Sequence, residues 1–355
     1  MSGQTTNCGP GGGAGDLTAL RIASIFIIGV GSIGGALFPV LAKRSSWLRV
    51  PPAVFDFAKY FGSGVIIATA FIHLLSPALD ALSSPCLSEG WSQYPYALAI
   101  AMSSIFGIFI VELIAFRIGT ARLKKLGVGH DAHGHGLGAH SAHGPEAASR
   151  TSATASITSQ AEQSADEKDT EPHEQKLGHD HEIGPVEHTH TQETIAQIVG
   201  IAILEFGVML HSVLIGLTLA VSPNFRVLFP VLVFHQTFEG LGIGSRLAFL
   251  KLQAKQEAIP IIAAVLYGLT TPIGIAAGLG VRTTYNPGTA HASIVSGVLD
   301  ATSAGILIYT GLVELLAHEF IFSREMQEAS NAKVLYAVGC MMLGCGVMAL
   351  LGRWA

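Results

Sequence analysis

The chain has 355 residues, of which half are hydrophobic and only 13% charged, with a formal net charge of −5 and a mean hydropathy of +0.49. Soluble domains carry about 25% charged residues, so a length that could fill two soluble domains is read here as one membrane domain whose first partner is the lipid bilayer. No nucleic-acid partner is expected.

The opening residues 1–16 are polar and Gly-rich and lack the basic region of a cleaved signal peptide, so they are expected to be an extracellular tail, with the first helix serving as the insertion signal. A hydrocarbon core is crossed by about 20 mostly apolar helical residues. Eight stretches qualify, near 17–43, 54–80, 95–117, 197–221, 226–249, 258–280, 293–318 and 333–351. The predicted fold is all-α, with helices 1–3 within 17–117 and helices 4–8 within 195–355. Residues 118–194 are rich in Gly, Ser, Thr, Glu and His and are expected to be a disordered loop.

Glycines in the first span (Gly29, Gly31, Gly34, Gly35) and the last (Gly339, Gly344, Gly346) predict close helix packing. Lys and Arg collect in alternate connections, including Lys43, Arg44, Arg122, Lys124, Lys125, Arg246 and Lys251. The others hold only Arg226 and Arg282, with Arg21 near the first helix start and Arg353 in the tail. Because basic residues favour the cytosol, both termini are expected outside and 118–194 inside. Cys8 and Cys86 would then lie outside, where they could pair, while Cys340 and Cys345 read as small hydrophobes.

Ionisable groups in hydrocarbon cost at least ~2.5 kcal/mol on insertion scales, so each needs a partner or a polar path. They include His73, Glu112, Glu205, His211, His235, Glu239, Asp300, Glu314 and His318. His235 and Glu239 are four apart and share one helical face. His211 lies ten residues before the end of its span, at Val221, and His235 nine after Arg226 in the next, antiparallel span. At about 1.5 Å per residue the two imidazoles should be level. Imidazole with carboxylate suits zinc, ferrous iron and related cations, and neither helix carries the cysteine of a copper(I) site. Gly216 and Gly240, just beyond the ligands, fit a close approach of these two helices.

The stretches HSVLIG (His211 to Gly216), HQTFEGLGIG (His235 to Gly244), AFIHLL (Ala70 to Leu75), LTTPIG (Leu269 to Gly274) and SAGILIYTGLVELLAHEF (Ser303 to Phe320) resemble the ZIP (Zrt/Irt-like) metal transporters, fungal and plant branch. The resemblance implies a three-plus-two-plus-three inverted-repeat bundle of eight helices and zinc import by alternating access. It also implies plasma-membrane placement and a homodimer. His211, His235 and Glu239 match the transport site and His73 a further ligand; Glu314, His318 and Glu319 suggest an exit path, with charges snorkelling at the interface as the bland alternative. Relatives that hold two metals place a carboxylate four residues after the fourth-helix His, where this chain has Ile215, and acidic or amide ligands where it has Ser212, Gln236 and Thr271. One strong site is therefore expected, with Ser212 and Gln236 as secondary contacts.

Zinc is the expected substrate; Fe2+, Cd2+, Mn2+ and Co2+ are alternatives, no organic cofactor is expected, and a non-transporting zinc receptor stays open. An intramembrane enzyme is disfavoured because HQTFE is not the HExxH of the zincins. Finally, the loop histidines His130, His133, His135, His140, His143, His173, His179, His181, His188 and His190 form a tract suited to weak metal binding.

Overall fold

The structure is a computed structural model and describes residues 8–9, 17–45, 50–125, 186–250, 257–283 and 286–354. Among these residues, eight helices are long and apolar enough to cross a membrane. We number them α1 (Thr18–Arg44), α2 (Pro52–Leu82), α3 (Tyr96–Lys125), α4 (Val186–Val221), α5 (Phe225–Ala248), α6 (Ile259–Val281), α7 (Ala290–Ile321) and α8 (Asn331–Leu351). No strand occurs among the described residues.

The boundaries fall within a few residues of the apolar runs, except at the long connection. There α3 continues to Lys125 and α4 opens at Val186, so the segment read as loop is helical at both ends. A helix that has left the apolar layer keeps its backbone bonds, and hydropathy does not mark where it stops. His188 and His190 lie on the first turns of α4; His130, His133, His135, His140, His143, His173, His179 and His181 lie outside the described residues.

The helices pack as two groups. In one, α1 lies against α5 and α6, and α4 against α6; in the other, α8 lies against α2, and α3 against α7. The groups meet where α2 crosses α5 and α4 crosses α7, while α2 packs on α7 within the second group. Exchanging α1 with α6, α2 with α7, α3 with α8 and α4 with α5 turns this set of neighbours into itself, as an inverted repeat requires. The apolar windows of α2 and α5 are each 50% buried against 11% for α3, which puts α2 and α5 at the centre and α3 at the lipid edge.

Small residues set the closest crossings. Gly62 of α2 and Gly242 of α5 meet backbone to backbone, and a Cβ on Gly242 would lie 3.1 Å from the Gly62 Cα. Gly35 faces Thr237 and Leu241 of α5, Gly29 faces Pro272, and Gly344 faces Phe61 and Val65, whereas Gly34, Gly339 and Gly346 meet nothing. Gly216 and Gly240 do not join α4 to α5 as expected. Gly216 seats α4 on Thr271 and Ile275 of α6, and Gly240 seats α5 on Ser32 and Ala36 of α1. A glycine signals that something approaches, but the sequence does not say which helix.

On the face that holds both ends of the bundle, Cys8 and Cys86 form a disulfide, with Cα atoms 5.5 Å apart. Asn286 Nδ2 donates to the Gly9 carbonyl at 2.7 Å. Together they tie residues 8–9 to the α2–α3 and α6–α7 connections. Cys340 is buried, and Cys345 Sγ donates to the Gly64 carbonyl of α2 at 3.1 Å.

Candidate metal centre

The α4–α5 turn over Ser222, Pro223 and Asn224 fixes the depth of His211 and His235 beneath it. Arg21 of α1 holds that turn. Its Nη1 donates to the carbonyls of Leu219 (3.2 Å) and Ala220 (2.9 Å) and its Nη2 to that of Ser222 (2.8 Å). The guanidinium also lies 4.6 Å from the centre of the Phe225 ring. The end of a helix exposes carbonyls with no intrahelical partner, and a planar five-donor cation can satisfy several at once. Arg21 was read as a charge near the helix start; it is 1% exposed and acts as a clamp.

With that turn fixed, the imidazoles of His211 and His235 come level, their ring centres 5.7 Å apart. Glu239, one turn along α5 from His235, brings Oε1 to 3.3 Å from His235 Nε2. Among the described residues, His211, His235 and Glu239 form the one group of three metal-ligating side chains whose donor atoms lie within 4.8 Å of one another. All three are buried, at 2%, 0% and 1% exposure. Both ring nitrogens of each histidine and both oxygens of Glu239 lack a hydrogen-bond partner. Buried polar atoms in native proteins are nearly always paired, and a cluster of unpaired ones with this donor chemistry points to a cation.

His73 joins from α2. Pro77 has no N–H to give the His73 carbonyl, so the helix widens into a π-turn over Thr69–Leu75, in which the Ser76 N–H reaches back to the Phe71 carbonyl. The His73 ring stands edge-on to His235, with centres 4.6 Å apart. Its Nε2 lies 3.0 Å from the Met348 carbonyl of α8, to which it donates, leaving Nδ1 as the nitrogen with a lone pair for a cation. It therefore sits beside the three-residue cluster, across the boundary between the two helix groups.

Ser212 and Gln236 form part of the wall. Gln236 Nε2 donates to Ser212 Oγ (3.1 Å) and to Tyr267 Oη (2.8 Å), and Tyr267 Oη donates to the Gln236 carbonyl (3.1 Å). Gln236 Oε1 and Thr271 Oγ1 are buried without partners. Ile215 packs among apolar neighbours including Leu219 and Ile275, so no charge enters from its side.

The three residues read as an exit path do not converge. Glu314, His318 and Glu319 share a π-helical segment, Thr310–Ile321. His318 is exposed and meets Phe322, with ring centres 6.0 Å apart, while Glu314 is half-buried. Glu319 turns inward onto Arg246 at the end of α5, with Nη2 to Oε2 at 3.1 Å and a second contact from Nη1 to Oε1. Arg246 also reaches Ser63 Oγ of α2, and Lys59 Nζ stands 3.5 Å from Glu319 Oε1. Glu112 pairs helices, accepting from Tyr309 Oη at 2.5 Å. Asp300 of α7 brings Oδ1 to 3.8 Å from His211 Nδ1. Reading the sequence counted Arg246 among the connection charges, left Asp300 without a partner and passed over Tyr267, which only a polar hydroxyl within an apolar run marked.

The family model described as ZIP Zinc transporter matches residues 18–352. The chain belongs to the ZIP zinc transporter family. This ZIP chain is 41% identical over 352 residues to "Zinc-regulated transporter 1" of Schizosaccharomyces pombe, covering 94% of the chain and 85% of that relative. It is 41% identical over 351 residues to the protein of the same name in Saccharomyces cerevisiae, covering 94% and 87%. To "Zinc transporter 9" of Oryza sativa subsp. japonica it is 34% identical, covering 95% and 89%. This ZIP chain is accordingly an integral membrane transporter and not an enzyme.

Proposed function

We propose that this ZIP protein imports zinc into the cytosol, binding it through His211, His235 and Glu239, with His73 as a further ligand, and passing it by alternating access. The observation that carries this reading is the set of buried, unpartnered imidazole nitrogens and carboxylate oxygens at the seam between two helix groups. Neutral imidazoles and one carboxylate replace part of the hydration shell of a borderline cation. The three ligands stand on α4 and α5 in one group, and His73 on α2 in the other. A slide of one group past the other, along crossings as small as Gly62 on Gly242, carries the ion away from His73 and toward the opposite face.

On that face, about two helical turns past Glu239, Arg246 and Glu319 bridge the groups and close the way out. The basic residues on the same face favour its being cytosolic, with both termini outside at the plasma membrane. Ser212 and Gln236 shape the site without adding charge, so one ion is held at a time. The carrier works as a homodimer. The histidine tract, including His130, His140, His179 and His190, binds metal loosely on the cytosolic side and adjusts the response to it.

Flux in proteoliposomes of purified protein tests the reading. Zinc loaded on one side appears on the other at a rate proportional to inserted protein, with Fe2+, Cd2+, Mn2+ and Co2+ as competitors. Binding without flux would leave a receptor, and neither binding nor flux would remove the site.

A further inference from the structure

We infer that Asp300 is a positioning residue of the zinc site, holding His211 from across the seam and supplying the second negative charge that a divalent cation needs within the membrane. The inference rests on the proposed site and deepens it.

Three observations carry it. The first is geometric. Asp300 Oδ1 faces His211 Nδ1 at 3.8 Å, and Asp300 is 9% exposed. A carboxylate on the Nδ1 side leaves Nε2 as the nitrogen turned to the ion. Ligating histidines commonly give their other N–H to a carboxylate, which fixes the tautomer and the ring orientation. At 3.8 Å the pair is longer than a hydrogen bond, and a small rotation of either side chain closes it.

The second is charge. A divalent cation held by neutral imidazoles and Glu239 alone keeps one uncompensated positive charge, which is costly in a low-dielectric interior. Ile215 supplies nothing from α4, because it packs into an apolar cluster. Gln236 is neutral: its Nε2 donates to Ser212 and Tyr267, and its unpartnered Oε1 offers a dipole but no negative charge. Asp300 is the carboxylate found against the other imidazole.

The third is topology. The inverted repeat pairs the α2–α5 crossing with the α7–α4 crossing. In the first, His73 meets His235; in the second, Asp300 meets His211. Each imidazole of the ligand group is thus met by one polar side chain of the opposite group, so both supports are engaged in this arrangement and released together when the groups slide.

Initial rates of zinc uptake in proteoliposomes, with equilibrium zinc binding to the same purified full-length protein, test this on Asp300→Asn, Asp300→Glu and His235→Ala. Asn keeps the size and one acceptor oxygen but removes the charge. The expected result is a KM and a binding constant weakened by about tenfold or more, with Vmax per inserted molecule held within about twofold and most of the affinity restored in Asp300→Glu. A carboxylate that served packing alone would lower inserted protein or Vmax and leave KM and binding unchanged, and that result overturns the inference. So does an Asp300→Glu variant as weak as Asp300→Asn. Uptake that survives His235→Ala sinks the site itself; uptake lost there, with Asp300→Asn binding zinc normally, sinks this inference alone.

Discussion

Arg246 and Glu319 face each other across the seam between the two helix groups, both largely buried, with Lys59 and Ser63 of α2 completing the contact. The pair lies on the side of the ligands away from the Cys8–Cys86 disulfide. Breaking a buried charge pair by removing one partner is costly because the other charge is left uncompensated. Arg246→Gln should therefore loosen closure on that side. A cysteine placed at Thr69, buried in α2, in a Cys340→Ser and Cys345→Ser background, is expected to react several-fold faster with an impermeant thiol reagent applied to that face. Equal rates in the two backgrounds would mean that the pair does not close the path.

Arg21 is predicted to set the register of the ligand helices. Replacing it with Leu orphans three carbonyls at the α4 end and should cost roughly 2–4 kcal/mol. The expected outcome is a lower melting temperature in detergent and weaker zinc binding together, because His211 loses its fixed depth. An unchanged melting temperature would reduce the clamp to an incidental contact.

The charge count predicts one ion at the centre. With Ile215 in an apolar cluster and Gln236 tied to Ser212 and Tyr267, a second divalent cation has too few anionic donors beside the first. Anomalous scattering at the zinc edge from zinc-soaked crystals should give a single mid-membrane peak per protomer. Two peaks side by side would contradict the expectation.

Much of this was legible in the sequence, for physical reasons. A span of about 20 apolar residues declares itself by length, so the eight helices came within a few residues of their places except where α3 and α4 run on into the long connection. The convergence of His211, His235 and Glu239 was legible because an antiparallel pair with a short turn converts residue counts into depth. What was lost is what depends on partners far apart in the chain. Arg246 meets Glu319 across 73 residues, and rules for loop charges place both at an aqueous surface. Gly216 and Gly240 announced close packing but could not name α6 and α1 as the partners. Arg21 looked like a flank residue because a buried guanidinium needs carbonyls that only the folded α4 end supplies.

The histidine tract is predicted to be dispensable for transport, because ligands outside the apolar spans cannot fix geometry inside the bilayer. Deleting 130–190 should leave zinc uptake within about twofold of the intact chain while changing how uptake or protein level responds to added zinc. Loss of uptake in correctly inserted protein would reassign the tract to the transport path.

The most direct test compares zinc uptake, with iron as competitor, between the wild type and His235→Ala at equal amounts of inserted protein. Uptake present in the wild type and reduced at least about tenfold in the variant is the predicted result, given that losing even a supporting contact at a metal site costs 10- to 100-fold. Equal uptake by both would contradict the placement of the transport site on α4 and α5.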